Sequence, residues 1–195
     1  MGCRESGLRW KAIIANIWIL KLDLFFLAFF DGHSGSKCAS YAATMLFKNF
    51  KMHVAQGCDI ENALVAAFEK THSEYLQEYA DSGTTAVVVY IDNAANVMYV
   101  ANVGDSRAVL AICTDEVLRA VPLSNDHKPN SEPDRARLTA ANFEIKFNRG
   151  CWRLLSGLAV SRSIGDKVHL MHGLIATPEV VRYALTGEEK FIMLA

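Results

Sequence analysis

Asp31, Gly32 and His33 stand directly behind an apolar run of the chain, residues 24–30. The run predicts a buried strand, so a carboxylate at its end is held rigidly and loses little entropy when it binds a ligand. Gly32 lets the backbone turn sharply and brings a carbonyl oxygen beside the carboxylate. Carboxylate and carbonyl oxygens suit a hard cation such as Mg²⁺ or Mn²⁺, and His33 can move a proton near neutral pH.

Asp105 repeats this arrangement, because it follows the predicted strand 97–103 and stands next to Gly104. Two acids at strand ends can share one metal cluster. Each group also fits a structural role. Residues 31–35 taken alone favour an ordinary capped turn between a strand and a helix, and the side chain of Asp105 can bond its own backbone in a tight turn.

Helices and strands of ordinary length would position these residues. Apolar spacing predicts a helix over 36–53, and Asp59 is the predicted N-cap of a second helix. Three strands are predicted at 87–91, 97–103 and 108–112, with hairpin turns at 92–96 and 148–150.

The composition indicates one globular domain with a substantial core. The chain has 195 residues, of which 51% are hydrophobic and 21% charged, and its net charge is −1. These values exclude disorder and give no general basis for binding nucleic acid. The cysteines are scattered without a CxxC pair, so we interpret them as reduced thiols of an intracellular protein, cytoplasmic or nuclear. They are Cys3, Cys38, Cys58, Cys113 and Cys151.

Two features of the N-terminus bear on membrane attachment: a possible acylation site and an apolar stretch. Gly2 fits the N-myristoylation pattern and Cys3 is a possible palmitoylation site, so acylation at both would give stable attachment. The apolar stretch 12–30 resembles a membrane span, but charged residues at 21–23 divide it. Two strands, or a helix and a strand, fit it better.

Six short motifs occur in an order that is specific to one family. They lie at residues 30–35, 82–86, 101–108, 126–129, 158–166 and 175–180. From about residue 22 to 195, the chain therefore resembles the metal-dependent protein phosphatases of type 2C. Residues 1–21 form a divergent N-terminal segment in this reading, and 22–195 a partial phosphatase domain.

The resemblance implies an α+β fold, in which two packed, mostly antiparallel sheets are flanked by helices as an α-β-β-α sandwich with its last strands missing. It also implies hydrolysis of phosphoserine and phosphothreonine in protein substrates. Two Mg²⁺ or Mn²⁺ ions supply a nucleophile at neutral pH and neutralise phosphoryl charge. Membrane contact is expected only if Gly2 and Cys3 are acylated.

The resemblance also assigns roles by position. Asp31 would bridge the two metals, the Gly32 carbonyl would coordinate one of them, and Asp105 would help to hold a further, weaker metal. His33 would be the general acid for the departing alcohol.

Four other residues in the family motifs are expected to be mainly structural. Arg162 and Asp166 belong to the motif at 158–166, and Asp126 and His127 are expected to brace a loop as a buried pair.

Two departures from the family pattern bear on activity. Residues 10–18 lack the Glu-Asp pair expected upstream of Asp31, and the sequence stops at Ala195, before an expected Asp-Gly and a later Asp-Asn. Asp31 and Asp105 offer two negative charges at most against the four positive charges of two divalent ions, so we expect weak metal binding and little hydrolysis. The alternative to an incomplete phosphatase is a catalytically impaired binding or regulatory module.

Overall fold

Strands dominate the computed structural model, which describes residues 25–195. Helices α1 Lys37–Ala55, α2 Ile60–Glu78 and α3 Asp134–Ala140 and the 3₁₀ helix Lys167–His172 accompany them. The strands are β1 Phe25–Phe29, β2 Gly32–His33, β3 Gly83–Thr84, β4 Ala86–Asp92, β5 Val97–Val103, β6 Ala108–Thr114, β7 Val117–Pro122, β8 Ile145–Asn148, β9 Cys151–Leu154, β10 Ile164–Gly165, β11 Glu179–Ala184 and β12 Glu189–Leu194.

A four-stranded antiparallel sheet in the order β1-β4-β5-β11 forms the centre of the fold. From Ala86 to Ile91, every side chain of β4 is at most 5% exposed. Both faces of this strand are covered, which explains why its sequence is apolar throughout instead of alternating. Within residues 25–195, β1 is the outermost strand of this sheet, and Phe26 and Leu27 are its buried residues. The prediction of a fully buried run was wrong for the described residues 25–30, because the other four side chains are only partly buried.

Helices α1 and α2 cover one face of the central sheet. Their buried side chains, such as Leu46 and Phe68, form one cluster with Val88 and Ala101 of the sheet. Asp59 caps α2 as predicted, since its carboxylate accepts a hydrogen bond from the Asn62 N–H at 2.9 Å.

A second sheet, in the order β12-β6-β7, covers the opposite face. Val89 and Val100 of the central sheet pack there against Leu110 and Ile192. The described residues thus form a layer of helices followed by two layers of antiparallel strands, and the predicted α+β fold class is confirmed.

Three two-residue strands form a small sheet in the order β10-β3-β2. In its register, His33 lies opposite Gly83, and Gly165 lies opposite Gly83 on the other side. This sheet joins the segment after β1 to the motif at 158–166, and it is the frame of the site described below.

Most local predictions agree with the structure. The helix predicted at 36–53 and the strands predicted at 87–91 and 108–112 correspond to α1, β4 and β6, and β5 has its predicted bounds. The turn at 148–150 joins β8 to β9, with positive φ at Arg149 and Gly150 (50° and 80°), as a tight hairpin requires. None of the helices formed by residues 25–195 combines the length and apolar character that a membrane span requires. The predictions for residues 1–24 lie outside the described part.

Candidate functional site

Asp31 lies two residues after the end of β1, and Thr85 forms hydrogen bonds with both its N–H and its carbonyl group. The Thr85 N–H donates to the Asp31 carbonyl at 3.0 Å, and the Asp31 N–H donates to the Thr85 hydroxyl at 3.3 Å. The Asp31 side chain is exposed, so it is accessible to a ligand. An accessible carboxylate on a backbone held in place suits the binding role predicted from its position.

The sharp turn of this segment lies two residues later than predicted. Gly32 does not have a positive φ; Ser34 and Gly35 do, at 57° and 124°. Close packing explains the glycine at position 32 instead, because an added Cβ would lie 3.1 Å from the Cβ of Ala39. Gly32 therefore allows close contact with α1, and Ser34 and Gly35 make the turn.

His33 contacts an acid 133 positions away in the sequence, as its Nε2 lies 2.6 Å from Oδ2 of Asp166. The Asp166 side chain is 4% exposed and the His33 side chain 30% exposed. The hydrogen bond with Asp166 raises the pKa of His33, burial opposes this shift, and nearby negative charges add to it. The contact was not predicted from the sequence, in which Asp166 was expected to be mainly structural. The acid's position in a family motif was the only sequence signal for it.

The carboxylate of Asp166 has little room to move. The Ser163 hydroxyl donates to the same Oδ2 at 2.6 Å, and a Cβ added at Gly83 would overlap the carboxyl group. The Asp166 backbone is left-handed, with φ of 57°, and its N–H donates to the Ser82 carbonyl at 3.1 Å. The small sheet thus holds this acid in one position.

His72 of α2 supports the same motif. Its Nδ1 accepts a hydrogen bond from the Gly165 N–H at 3.1 Å. Burial lowers the pKa of His72, which favours the neutral form that can accept this bond. His72 is thus a buried, hydrogen-bonded histidine with a structural role.

Thr85 also links Asp31 to the turn that carries Asp105. Its hydroxyl lies 2.7 Å from that of Ser106. Gly104 has a φ of 95°, and an added Cβ would lie 2.6 Å from the Cγ2 of Thr85. Through Thr85, which contacts Asp31 and the neighbour of Asp105, the structure gathers the predicted site residues in one neighbourhood. The negative charges of Asp31 and Asp105 also contribute to the raised pKa of His33.

Asp105 already has a cationic partner. Lys128 Nζ forms an ion pair with its Oδ2, and both side chains are 34% exposed. The loop that follows β7 therefore brings a positive charge to the carboxylate that was predicted to hold a weaker metal. The sequence analysis did not anticipate this contact.

Asp126 and His127 brace their loop, but not as the predicted buried pair. Asp126 is only partly buried and receives two hydrogen bonds from Arg107, at 2.7 and 2.9 Å, which lower its pKa. His127 is buried, and its Nδ1 accepts from the Gly104 N–H at 3.2 Å while its Nε2 lies 3.4 Å from Oε2 of Glu179. Adjacent residues of the extended loop point in different directions, so each finds its own partner.

Arg162 has the structural role predicted for it. Its Nε lies 3.1 Å from each carboxylate oxygen of Asp134, which is 1% exposed, and it also donates to the Thr177 carbonyl at 3.1 Å. The pair joins α3 to the motif at 158–166.

The described residues provide only part of the ligand set that the predicted pair of divalent ions would require. Residues 25–195 contain no group of three or more histidine, cysteine, aspartate or glutamate side chains placed to hold a metal. Asp31, Asp105 and the Gly32 carbonyl provide some oxygen donors, and Lys128 offsets the charge of Asp105. Two carboxylates, one of them paired, do not fit a complete two-metal centre.

Comparison with known proteins gives a consistent family signal. The sequence profile "Protein phosphatase 2C" matches residues 14–195. The "Probable protein phosphatase 2C 11" of Arabidopsis thaliana is 39% identical over 174 residues, covering 87% of this chain and 44% of the relative. The "Probable protein phosphatase 2C 52" of Oryza sativa subsp. japonica is 36% identical over 170 residues, covering 85% and 33%. This chain thus spans between a third and a half of the length of these relatives.

Solved structures show the same fold. A structure described as a C. elegans sex determining protein has a TM-score of 0.75 and 26% identity, with 88% of this chain and 42% of that chain covered. The serine-threonine phosphatase 2C from Toxoplasma gondii has a TM-score of 0.73 over 86% of this chain and 66% of that one. At 18% identity, the second likeness concerns the fold alone.

Proposed function

The chain belongs to the protein phosphatase 2C family, and on this premise we propose that it acts as a serine/threonine protein phosphatase. The proposed reaction is hydrolysis of phosphoserine and phosphothreonine in protein substrates, which would be the chain's binding partners. The comparisons do not favour the alternative of a non-catalytic binding module.

One observation carries the proposal beyond family membership: Asp31, His33 and Asp105 lie in one neighbourhood at the small sheet. In the proposed roles, His33 donates a proton to the departing alcohol. The exposed carboxylate of Asp31 and the Gly32 carbonyl contribute to metal binding.

The family is metal-dependent, and we propose Mg²⁺ or Mn²⁺ as the metal of this protein. Asp31, the Gly32 carbonyl and Asp105 would supply part of the ligand set. Because these donors do not complete a two-metal centre, we expect the 195-residue chain to bind Mn²⁺ weakly.

Phosphate release from a phosphothreonine peptide, measured with and without Mn²⁺, tests the proposed activity. We expect slow, Mn²⁺-dependent release that falls to background in Asp31→Asn. Asp115→Asn is the matched control, because Asp115 lies in the exposed turn between β6 and β7 and asparagine tolerates its φ of 52°. Absence of release by the wild-type chain, or equal rates for Asp31→Asn and wild type, would contradict the proposal.

The proposed location is the cytoplasm or the nucleus, with membrane attachment if Gly2 and Cys3 are acylated. Gly2→Ala tests the attachment, since myristoylation requires this glycine. We expect the variant to leave the membrane fraction of transfected cells, and equal partition of variant and wild type would remove the acylation proposal.

A further inference from the structure

We propose that Asp166 is the positioning residue for His33, which it holds with the proton on Nε2 so that Nδ1 is the nitrogen that exchanges a proton with the substrate. The inference rests on the proposed function, in which His33 protonates the departing alcohol. It departs from the sequence analysis, which gave Asp166 a mainly structural role.

The chemistry of the contact determines which ring nitrogen carries the proton. An ionised carboxylate only accepts hydrogen bonds, so the nitrogen that faces Oδ2 of Asp166 at 2.6 Å must carry hydrogen. Among the described residues, the ring of His33 has no other hydrogen-bond partner. Nδ1 is thus the nitrogen left for a substrate, and the neutral ring is the Nε2–H tautomer.

The surroundings of Asp166 fix its position more firmly than a surface contact would. Ser163 donates to the same carboxylate oxygen, and the Gly83 backbone lies directly against the carboxyl group. The Asp166 backbone is anchored twice, because its N–H donates to Ser82 at 3.1 Å and its carbonyl accepts from the His169 N–H at 2.8 Å. A carboxylate held in this way imposes one orientation on the ring that it contacts.

A comparison with Asp134 separates positioning from a purely structural role. Asp134 is as deeply buried as Asp166, and its charge is balanced by the guanidinium groups of Arg137 and Arg162. The only basic side chain that pairs with Asp166 in the described residues is His33, which is 30% exposed. Asp166 therefore differs from Asp134 because its basic partner, His33, is accessible to a substrate.

The proton transfer balances without a change in Asp166. As a water oxygen bonds to phosphorus and the ester P–O bond of the substrate breaks, the Nδ1–H bond of the protonated ring breaks and an O–H bond forms on the departing serine or threonine alcohol, while the phosphoryl group leaves as inorganic phosphate. The electron pair of the N–H bond stays on Nδ1. The ring becomes the neutral Nε2–H tautomer, which already donates to Asp166, so the hydrogen bond persists through the step.

The first test reads the tautomer and needs no turnover. Ring nitrogen shifts of His33 are measured by NMR in the wild-type chain, at a pH where the ring is neutral. We expect a protonated Nε2 and an unprotonated Nδ1, with this preference kept in Ser163→Ala, which retains the carboxylate, and lost in Asp166→Asn. A wild-type ring with the proton on Nδ1, or in rapid exchange between tautomers, would overturn the proposal even if Asp166→Asn fails to fold.

The second test compares two substrates with the same phosphoryl group. An aryl phosphate has an acidic leaving group that needs little protonation, whereas a phosphothreonine peptide releases a strongly basic alkoxide. For Asp166→Asn, we expect kcat for the peptide to fall by about 10- to 100-fold, with KM unchanged and a much smaller loss for the aryl phosphate. In the His33→Gln background, Asp166→Asn should cause no further loss, because the ring on which it acts is absent.

The two tests separate the inference from the proposed function. Equal losses on both substrates, or a further loss in the double variant, would show that Asp166 acts other than through His33. A wild-type chain with the Nε2–H tautomer and no turnover would retain the positioning contact and reject the phosphatase activity.

Discussion

At and near the small sheet, close packing determines the residue type at some positions as strictly as chemistry does at others. Gly83 has no side chain because the Asp166 carboxylate occupies that volume, and Gly104 has none because Thr85 is close. At Gly83 a carboxylate, and at Gly104 the methyl group of Thr85, can therefore approach the backbone closely. The positions of Asp166 and Asp105 therefore depend on residues that carry no functional group.

Replacement of Gly83 by alanine tests this close packing. The new Cβ would overlap the Asp166 carboxyl group, so we expect a loss of about 1 to 3 kcal/mol in the free energy of unfolding. Urea denaturation measures the loss, and the same substitution in an Asp166→Ala background is the control because the carboxyl group that the new Cβ would meet is then absent. An equal cost of Gly83→Ala in the two backgrounds would contradict this account.

The pH dependence of stability tests the His33–Asp166 contact without any activity. The hydrogen bond raises the pKa of His33 in the folded state, so the folded state binds the proton more tightly than the unfolded state does. The stabilisation, about 1 kcal/mol or less, is complete below the ordinary histidine pKa of about 6.5. We expect it to disappear as the pH rises through the raised pKa.

Denaturation of wild type and His33→Gln across this pH range measures that contribution. The difference in unfolding free energy between them should be larger at acidic than at alkaline pH. A constant difference, or one that grows with pH, would show that the contact does not favour the protonated ring.

At the scale of elements, a buried polar contact joins helix α3, whose Leu138 lies in a separate apolar cluster, to a motif that contributes Ile164 to the main core. Helix α3 and the motif at 158–166 are connected by the Asp134–Arg162 pair, beside a small separate cluster around Leu138, Leu154 and Leu174. Because this cluster is small, the ion pair carries much of the attachment of α3 to the fold.

Breaking this pair should be costly. Arg162→Met removes one of the two guanidinium groups that pair with the buried Asp134 carboxylate, and Arg137 remains, so we expect a loss of about 1.5 to 3 kcal/mol in unfolding free energy, measured by urea denaturation. Arg107→Met removes a similar number of hydrogen bonds, but Arg107 is 64% exposed, so its loss should have little effect. Similar costs for the two variants would refute the distinction based on burial.

For the whole molecule, the two faces of the second sheet differ in their surroundings. Ile192 and Leu110 point inward to the central sheet. Alternation along the strands places Met193 and Leu118 on the outer face, where they are 46% and 59% exposed. Exposed apolar side chains on a sheet favour association with another surface.

We expect the 195-residue chain to self-associate through this outer face. Leu118→Thr combined with Met193→Thr should lower the self-association, because threonine keeps the strand and removes apolar surface. Sedimentation over a range of concentrations measures the effect, and the free energy of unfolding should change by less than about 1 kcal/mol. Unchanged association in the double variant would exclude this face as its cause.

The sequence by itself determined the family, the fold class and most elements, since these follow from local properties. Apolar patterns located α1, α2 and three of the four strands of the central sheet, β1, β4 and β5, and turn residues located the hairpin at Arg149 and Gly150. Six motifs in order indicated the family, which the profile match confirms. The acids at the ends of strands marked Asp31 and Asp105 as candidate site residues.

Only the tertiary structure decided which side chains meet. His33 and Asp166 are 133 positions apart, and they touch because β2 and β10 both pair with β3. Asp105 and Lys128 meet because a loop returns after β7. Such contacts depend on how sheets and loops pack over long distances in the chain, and neither periodicity nor spacing carries that information.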